Sequence, residues 1–153
     1  MRPYKVKISK REISTDPYII WNSFIELIGI TRDRELSPIQ LNAHYCFRYE
    51  SEVQNGGHLQ FFENNGLDFA VATHKALAEL EFTGPESVLA DALKIARKMN
   101  WGHIETAEQF VAEALEGRFD KFDDDYYNLD PPTIKLFEQH LEQHQDEYIE
   151  IVD

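Results

Sequence analysis

Glu52-Val53-Gln54-Asn55-Gly56-Gly57-His58-Leu59-Gln60-Phe61-Phe62-Glu63-Asn64 is the stretch on which the reading of this chain turns. Two adjacent glycines follow an asparagine and stand between two amphipathic segments, the pattern of a tight corner between helices. A glycine just past a helix end adopts the left-handed conformation without a Cβ clash, so its N–H can fold back on the last free carbonyls. That role is expected of Gly56, and Gly57 then lets the next helix begin at once. Glu52 and Gln60 can satisfy backbone groups left open where two helix ends abut, and Asn55 can cap. Phe61 and Phe62 read as core anchors. The competing reading brings Glu52, Asn55, His58 and Gln60 together as an acid–base site, with a carboxylate beside an imidazole.

Moving outward, the pattern predicts an all-α single domain of about six or seven helices. On the amino-terminal side, Ser37 with Pro38 opens the helix that ends at the corner, and Ile39, Ala43, Cys46, Phe47 and Val53 form its apolar side. Glu50 falls on that same side and needs a partner or solvent. Before it, Asp16 and Pro17 start a helix through Ile20, Phe24, Leu27 and Ile28 that Gly29 closes, and a polar link spans residues 31–35. Residues 1–12 read as a basic extended arm, in which Tyr4-Lys5-Val6-Lys7-Ile8 alternates. It is either loose or paired with Ile149-Glu150-Ile151-Val152. The helical domain then covers residues 13–153.

On the carboxyl side, a short helix reaches Asn64, Asn65-Gly66 stops it, and Phe69, Thr73, Ala76, Leu77 and Leu80 mark the next. Thr83-Gly-Pro-Glu86 reads as a capping signal before a broad apolar face from Val88 to Met99. Thr106 with Gln109 is a capping box for a helix that Gly117 ends. After the acidic, aromatic segment 120–130, Pro131-Pro132 starts a terminal helix whose seam is Ile134, Phe137, Leu141, His144, Tyr148 and Ile151. Glu138, Glu142, Asp146 and Glu150 run beside it at i+4 spacing.

The motif Glu52-Val53-x-Asn55-Gly56-Gly57-x-x-Gln60-Phe61-Phe62-x-Asn64, with Gly66 and the run through Ala70, Ala76 and Leu77, resembles a family of small acidic bacterial proteins named for a DNA-mimic protein. The resemblance covers Leu36 to Ile95 well and the Asp/Tyr-rich tail loosely. It departs at Gln54, where a second Asn is usual, and at His58, where an aromatic is usual. It implies a mimic that occupies the DNA-binding surface of a basic protein such as a transcription regulator. For the motif residues Glu52, Asn55, Gly56, Gly57, Gln60, Phe61, Phe62 and Asn64, a structural role is the stronger reading.

Charge fits such a partner. The chain of 153 residues has 28 acids, 15 bases and a net charge of −13. Residues 1–11 hold five bases and no acid, whereas residues 105–153 hold 15 acids and three bases. Such a surface repels nucleic acid and membrane headgroups and attracts basic proteins. Asp120, Asp123, Asp124, Asp125, Glu138, Glu142, Asp146 and Glu147 are the expected partner-binding acids. An immunity or inhibitor protein against a basic toxin would use the same surface, and a small hydrolase or metal protein centred on the corner is a further alternative. A second copy could pack on the terminal seam.

Other chemistry finds little footing. A single cysteine, Cys46, within an apolar pattern reads as a buried thiol in a reducing cytoplasm. There is no apolar leader at the amino terminus and no run long enough to span a membrane. His140 and His144 have metal-pair spacing, but Leu141 stands where a zinc-protease helix needs Glu, and no metal or cofactor is expected. Asp123-Asp124-Asp125 lacks the glycine and ligand spacing of a calcium loop. No catalytic residue is assigned.

Overall fold

The computed structural model describes residues 2–30 and 35–153. The polar link expected at residues 31–35 lies outside the described residues except for Glu35. Seven α-helices are described: α1 (Lys10–Thr15), α2 (Ile19–Gly29), α3 (Pro38–Glu79), α4 (Thr83–Ala96), α5 (Ala107–Glu116), α6 (Asp120–Tyr127) and α7 (Thr133–His144). Two short strands, β1 (Val6–Ser9) and β2 (Ile149–Val152), pair in parallel with Val6 opposite Ile149. The fold is all-α as anticipated, and the two alternating segments at either end of the chain find each other.

The long α3 is three helical segments in one run. Its start is the Ser37 capping box: Gln40 N donates to Ser37 Oγ at 3.3 Å, and Ser37 N donates to Gln40 Oε1 at 2.9 Å. The fully buried Gln40 also donates to the carbonyls of Tyr4 at 2.7 Å and Glu147 at 2.8 Å, fixing β1 and the turn before β2 to this helix start. The run breaks at Gly57 (φ 77°) and Gly66 (φ 82°), both in the left-handed region. At the corner the left-handed residue is therefore Gly57 and not Gly56, whose φ is −155°. Phe61, Phe62, Ala70, Ala76 and Leu77 lie in the core, as does Cys46, whose thiol is pushed up by burial.

Several local expectations are corrected. Asp16 does not cap a helix starting at Pro17. Its carboxylate accepts from Tyr18 N at 2.9 Å, and α2 begins only at Ile19. Residues 1–12 are not one extended arm, because Ser9 forms a capping box with Glu12 and α1 starts at Lys10. Thr83 and Glu86 form no box, since Phe82 is the N-cap of α4 and makes no side-chain bond. The Thr106–Gln109 box forms in full, and Gly117 (φ 67°) closes α5.

The terminal seam is likewise not one helix. α7 ends at His144, a 3-10 turn covers Gln145–Glu147, and β2 follows. Pairing with β1 draws Ile149–Val152 out of the helical path. His140 rather than His144 is the buried histidine, and its ring meets Tyr148 OH at 2.7 Å.

Candidate functional site

The corner and the acidic segment are one place in the folded molecule. The eight residues of α6 pack on α3 and α4, and their docking supplies what the corner lacks. The segment starting at His58 is a helix amino terminus whose N–H groups are open. Asp123, from α6, fills that position: its Oδ1 accepts from His58 N at 2.8 Å and lies 2.6 Å from His58 Nδ1. A carboxylate only accepts, so Nδ1 carries the proton, and in the neutral ring Nε2 accepts from Tyr49 OH at 2.6 Å. A carboxylate facing the positive end of a helix is favourable on electrostatic grounds as well.

This explains two features of the corner. Gly57 must be glycine both for its φ and because a Cβ there would stand 2.5 Å from Asp123 Oδ2. His58 is completely buried between Tyr49, Phe62 and Tyr126, so its imidazole serves as an aromatic filler with two polar edges.

Glu50 meets its need for a partner from the same helix, with Tyr126 OH donating to its carboxylate. Burial raises the Glu50 carboxyl above its ordinary range, opposed by hydrogen bonds from Tyr126 and Gln54. Burial also raises the Tyr126 phenol, with the nearby Glu50 charge adding to it. Tyr127 OH donates to Val53 O at 2.7 Å, completing a row of contacts along the end of the incoming helix.

The outer side of the corner is held by Glu52. Its Oε2 accepts from Gln60 Nε2 and Asn64 Nδ2, each at 3.0 Å, and Arg48 Nε lies 3.5 Å from Oε1. Glu52 and Gln60 thus bridge the two helical segments side chain to side chain, instead of capping backbone groups. Asn55, expected to cap, is exposed and makes no side-chain hydrogen bond among the described residues. A cleft of about 310 Å³ opens here, lined by His44, Arg48, Glu52, Asn55 and Gln60 among others, but not by His58. The acid–base arrangement is therefore not formed: Glu52 faces the cleft while His58 faces Asp123 inside the protein.

The remaining acids fall into two groups. Asp123 is turned inward, Asp125 accepts from Lys121 at 2.8 Å, and Glu138 accepts from Lys135 at 2.7 Å. Asp120, Asp124, Glu142 and Asp146 are exposed and Glu147 is half-buried, and none of these five has an ion pair among the described residues. All three bases of residues 105–153 are engaged, the third being Arg118, whose Nε lies 2.7 Å from Glu113. The amino-terminal bases reach this region at two points: Lys5 Nζ donates to the Asp146 carbonyl at 2.5 Å, and Lys10 pairs with Asp153.

Sequence reasoning missed Tyr49, Glu50 and Tyr126 as partners of the corner. The inward-facing acid at Glu50 was the available signal, because a tyrosine in an acidic, aromatic segment is a natural donor for it. The His140 and His144 rings lie 4.8 Å apart between centroids at a 39° tilt, and burial pushes His140 down to about 4, with His144 adding to the effect. No group of three or more His, Cys, Asp or Glu side chains among the described residues could hold a metal ion. No described helix is long and apolar enough to cross a membrane.

Comparison with known families gives a match to a family model described as DMP19-like protein, over residues 34–144. The matched region takes in α3 with its corner, α4, α5, α6 and α7. No curated protein and no solved structure matches the chain.

Proposed function

The chain belongs to the DMP19-like protein family, and from that premise we propose that it is a non-catalytic DNA mimic acting in the cytoplasm. It occupies the DNA-binding surface of a basic partner, such as a transcription regulator, and lowers that partner's hold on DNA. One observation carries this reading: the three bases within residues 105–153 are each committed to an acid, while Asp120, Asp124, Glu142, Asp146 and Glu147 keep carboxylates free of ion pairs among the described residues. A groove lined with Lys and Arg to neutralise phosphates can take such carboxylates in the same way, releasing its own counterions. Asp123, although in the same acidic run, is removed from the partner surface by its bonds to His58.

The test uses DNA-binding proteins captured by the immobilised chain from its host's lysate at low salt. Addition of the free chain should displace each from its DNA in an electrophoretic shift, with a steep loss of potency as salt rises. Reversal of Asp124, Glu142, Asp146 and Glu147 to Lys should abolish the displacement while the helical circular dichroism is unchanged. A captured protein that holds its DNA equally well in the presence of excess chain sinks the proposal.

A further inference from the structure

Helix α5 shows solvent a side that most helices hide. Ala107, Phe110, Val111, Ala114 and Leu115 share one stripe about 140° wide on the helix, yet only Phe110 of these is even half-buried. Val111 is 55% exposed and Leu115 83% exposed. The residue that α5 buries is instead Glu113, on the far side of the helix from Leu115. Its carboxylate takes Arg118 Nε at 2.7 Å and His103 Nε2 at 3.2 Å. Burial alone would raise the Glu113 carboxyl, but these two partners hold it below its ordinary value. The three-way contact fixes the roll of the helix, and that roll sends Val111 and Leu115 outward.

One edge of this apolar face and both of its ends are acidic. Glu108 and Glu116 both lie past Leu115 on that one edge of the stripe, Glu105 precedes the helix, and Asp120 follows directly at the Gly117 turn, where a Cβ would stand 2.7 Å from Asp120 Oδ2. None of the four has an ion pair among the described residues. A second copy is a poor occupant, since each chain carries −13 and an isologous pairing of α5 would set glutamates against glutamates. A surface of phosphates has no counterpart to Val111 and Leu115, so they serve something that charge imitation alone does not require.

We infer that α5 is an apolar anchor for the partner: a basic protein whose exposed apolar side chains are rimmed by lysine or arginine seats on Val111 and Leu115. This rests on the acidic-surface reading above and adds to it a salt-resistant share of the affinity, because burial of apolar surface is not screened by ions. Buried anchors ringed by polar contacts are where binding energy concentrates in protein interfaces.

The test uses the full chain with two labelled probes carrying equal numbers of lysines, oligolysine and an amphipathic leucine–lysine helical peptide, followed by fluorescence anisotropy. Both should bind at low salt, and at about 0.5 M salt only the leucine–lysine peptide should remain bound. The double variant Val111→Ser, Leu115→Ser should bind that peptide about tenfold more weakly and oligolysine unchanged. Equal binding of the leucine–lysine peptide by wild type and variant overturns the anchor while leaving the acidic surface standing. Failure of both probes to bind wild type at low salt overturns both readings. Sedimentation showing a dimer that the variant loses, or partition of wild type onto phosphatidylcholine vesicles, would assign the face to a second copy or a membrane and overturn the anchor.

Discussion

Helices α6 and α7 are both short, acidic and late in the chain, yet they attach to the body in different ways. Besides the Tyr126 ring, edge-on to Tyr49 at 5.3 Å, α6 docks through charge and hydrogen bonds: Asp123 on the corner at His58, Tyr126 on Glu50, Tyr127 on a backbone carbonyl. α7 docks through rings. Phe137 meets Phe47 and Phe82 edge-on at 5.9 and 5.2 Å, and His140, kept neutral by burial, bonds to Tyr148. An acid in α6 can therefore belong to the interior, whereas the acids of α7 and the turn after it decorate a helix that is already held. What decides the matter is whether an open helix end lies opposite, as one does for Asp123 at the glycine corner.

The sharpest way to break this contrast is at Gly57. Substitution by alanine forces a left-handed backbone on a residue with a Cβ and drives that Cβ against the Asp123 carboxylate, so chemical denaturation should show a loss of about 4 kcal/mol. Removing the carboxylate comes next. Asp123→Ala leaves a buried N–H and an imidazole N–H without their acceptor and should cost about 3 kcal/mol, while Asp124→Ala should stay within about 0.5 kcal/mol. Equal losses at the two positions would remove the distinction drawn for α6.

On the α7 side the signature is pH. His140 is held near 4 in the fold against 6.5 for the free side chain, so below pH 6.5 the unfolded chain gains a proton that the folded one refuses. Stability from this group is complete above pH 6.5 and lost as pH falls towards 4, about 2 kcal/mol of it by pH 5. His140→Gln should flatten that slope in urea titrations run across the interval. Smallest of all, Glu142→Lys and Asp146→Lys should each change stability by under about 0.5 kcal/mol, since neither carboxylate is committed within the fold. A larger loss would mean that these acids, too, are structural.

Much of this architecture was legible from local patterns. Ser37-Pro38, Thr106-x-x-Gln109 and Gly117 are chemical signals complete within one turn, and each does what its pattern says. The corner was legible as a corner, but not which glycine would take the left-handed backbone. That choice depends on Asp123, which packs against Gly57 from a distant part of the chain. Asp123 itself was invisible as a structural group, because nothing in Asp120–Asp125 separates the inward carboxylate from its neighbours until α6 is formed and docked. The acid stripe beside the terminal seam was over-read for a related reason. Helical spacing continues past His144, but the main-chain groups of Ile149–Val152 are claimed by β1, a pairing that the alternation at the two ends of the chain offered without deciding. The roll of α5 was hidden as well, since its apolar stripe alone predicts Leu115 inside, and only the buried contact of Glu113 with Arg118 and His103 reverses it.

The β1–β2 pair carries a consequence for the order in which the molecule assembles. Two strands of four residues each, nearly the whole chain apart, are too short to hold one another without support. Gln40 provides that support by gripping the carbonyls of Tyr4 and Glu147 from the start of α3. The ladder is thus a closing clasp: it can shut only after the helices between have brought its halves within reach.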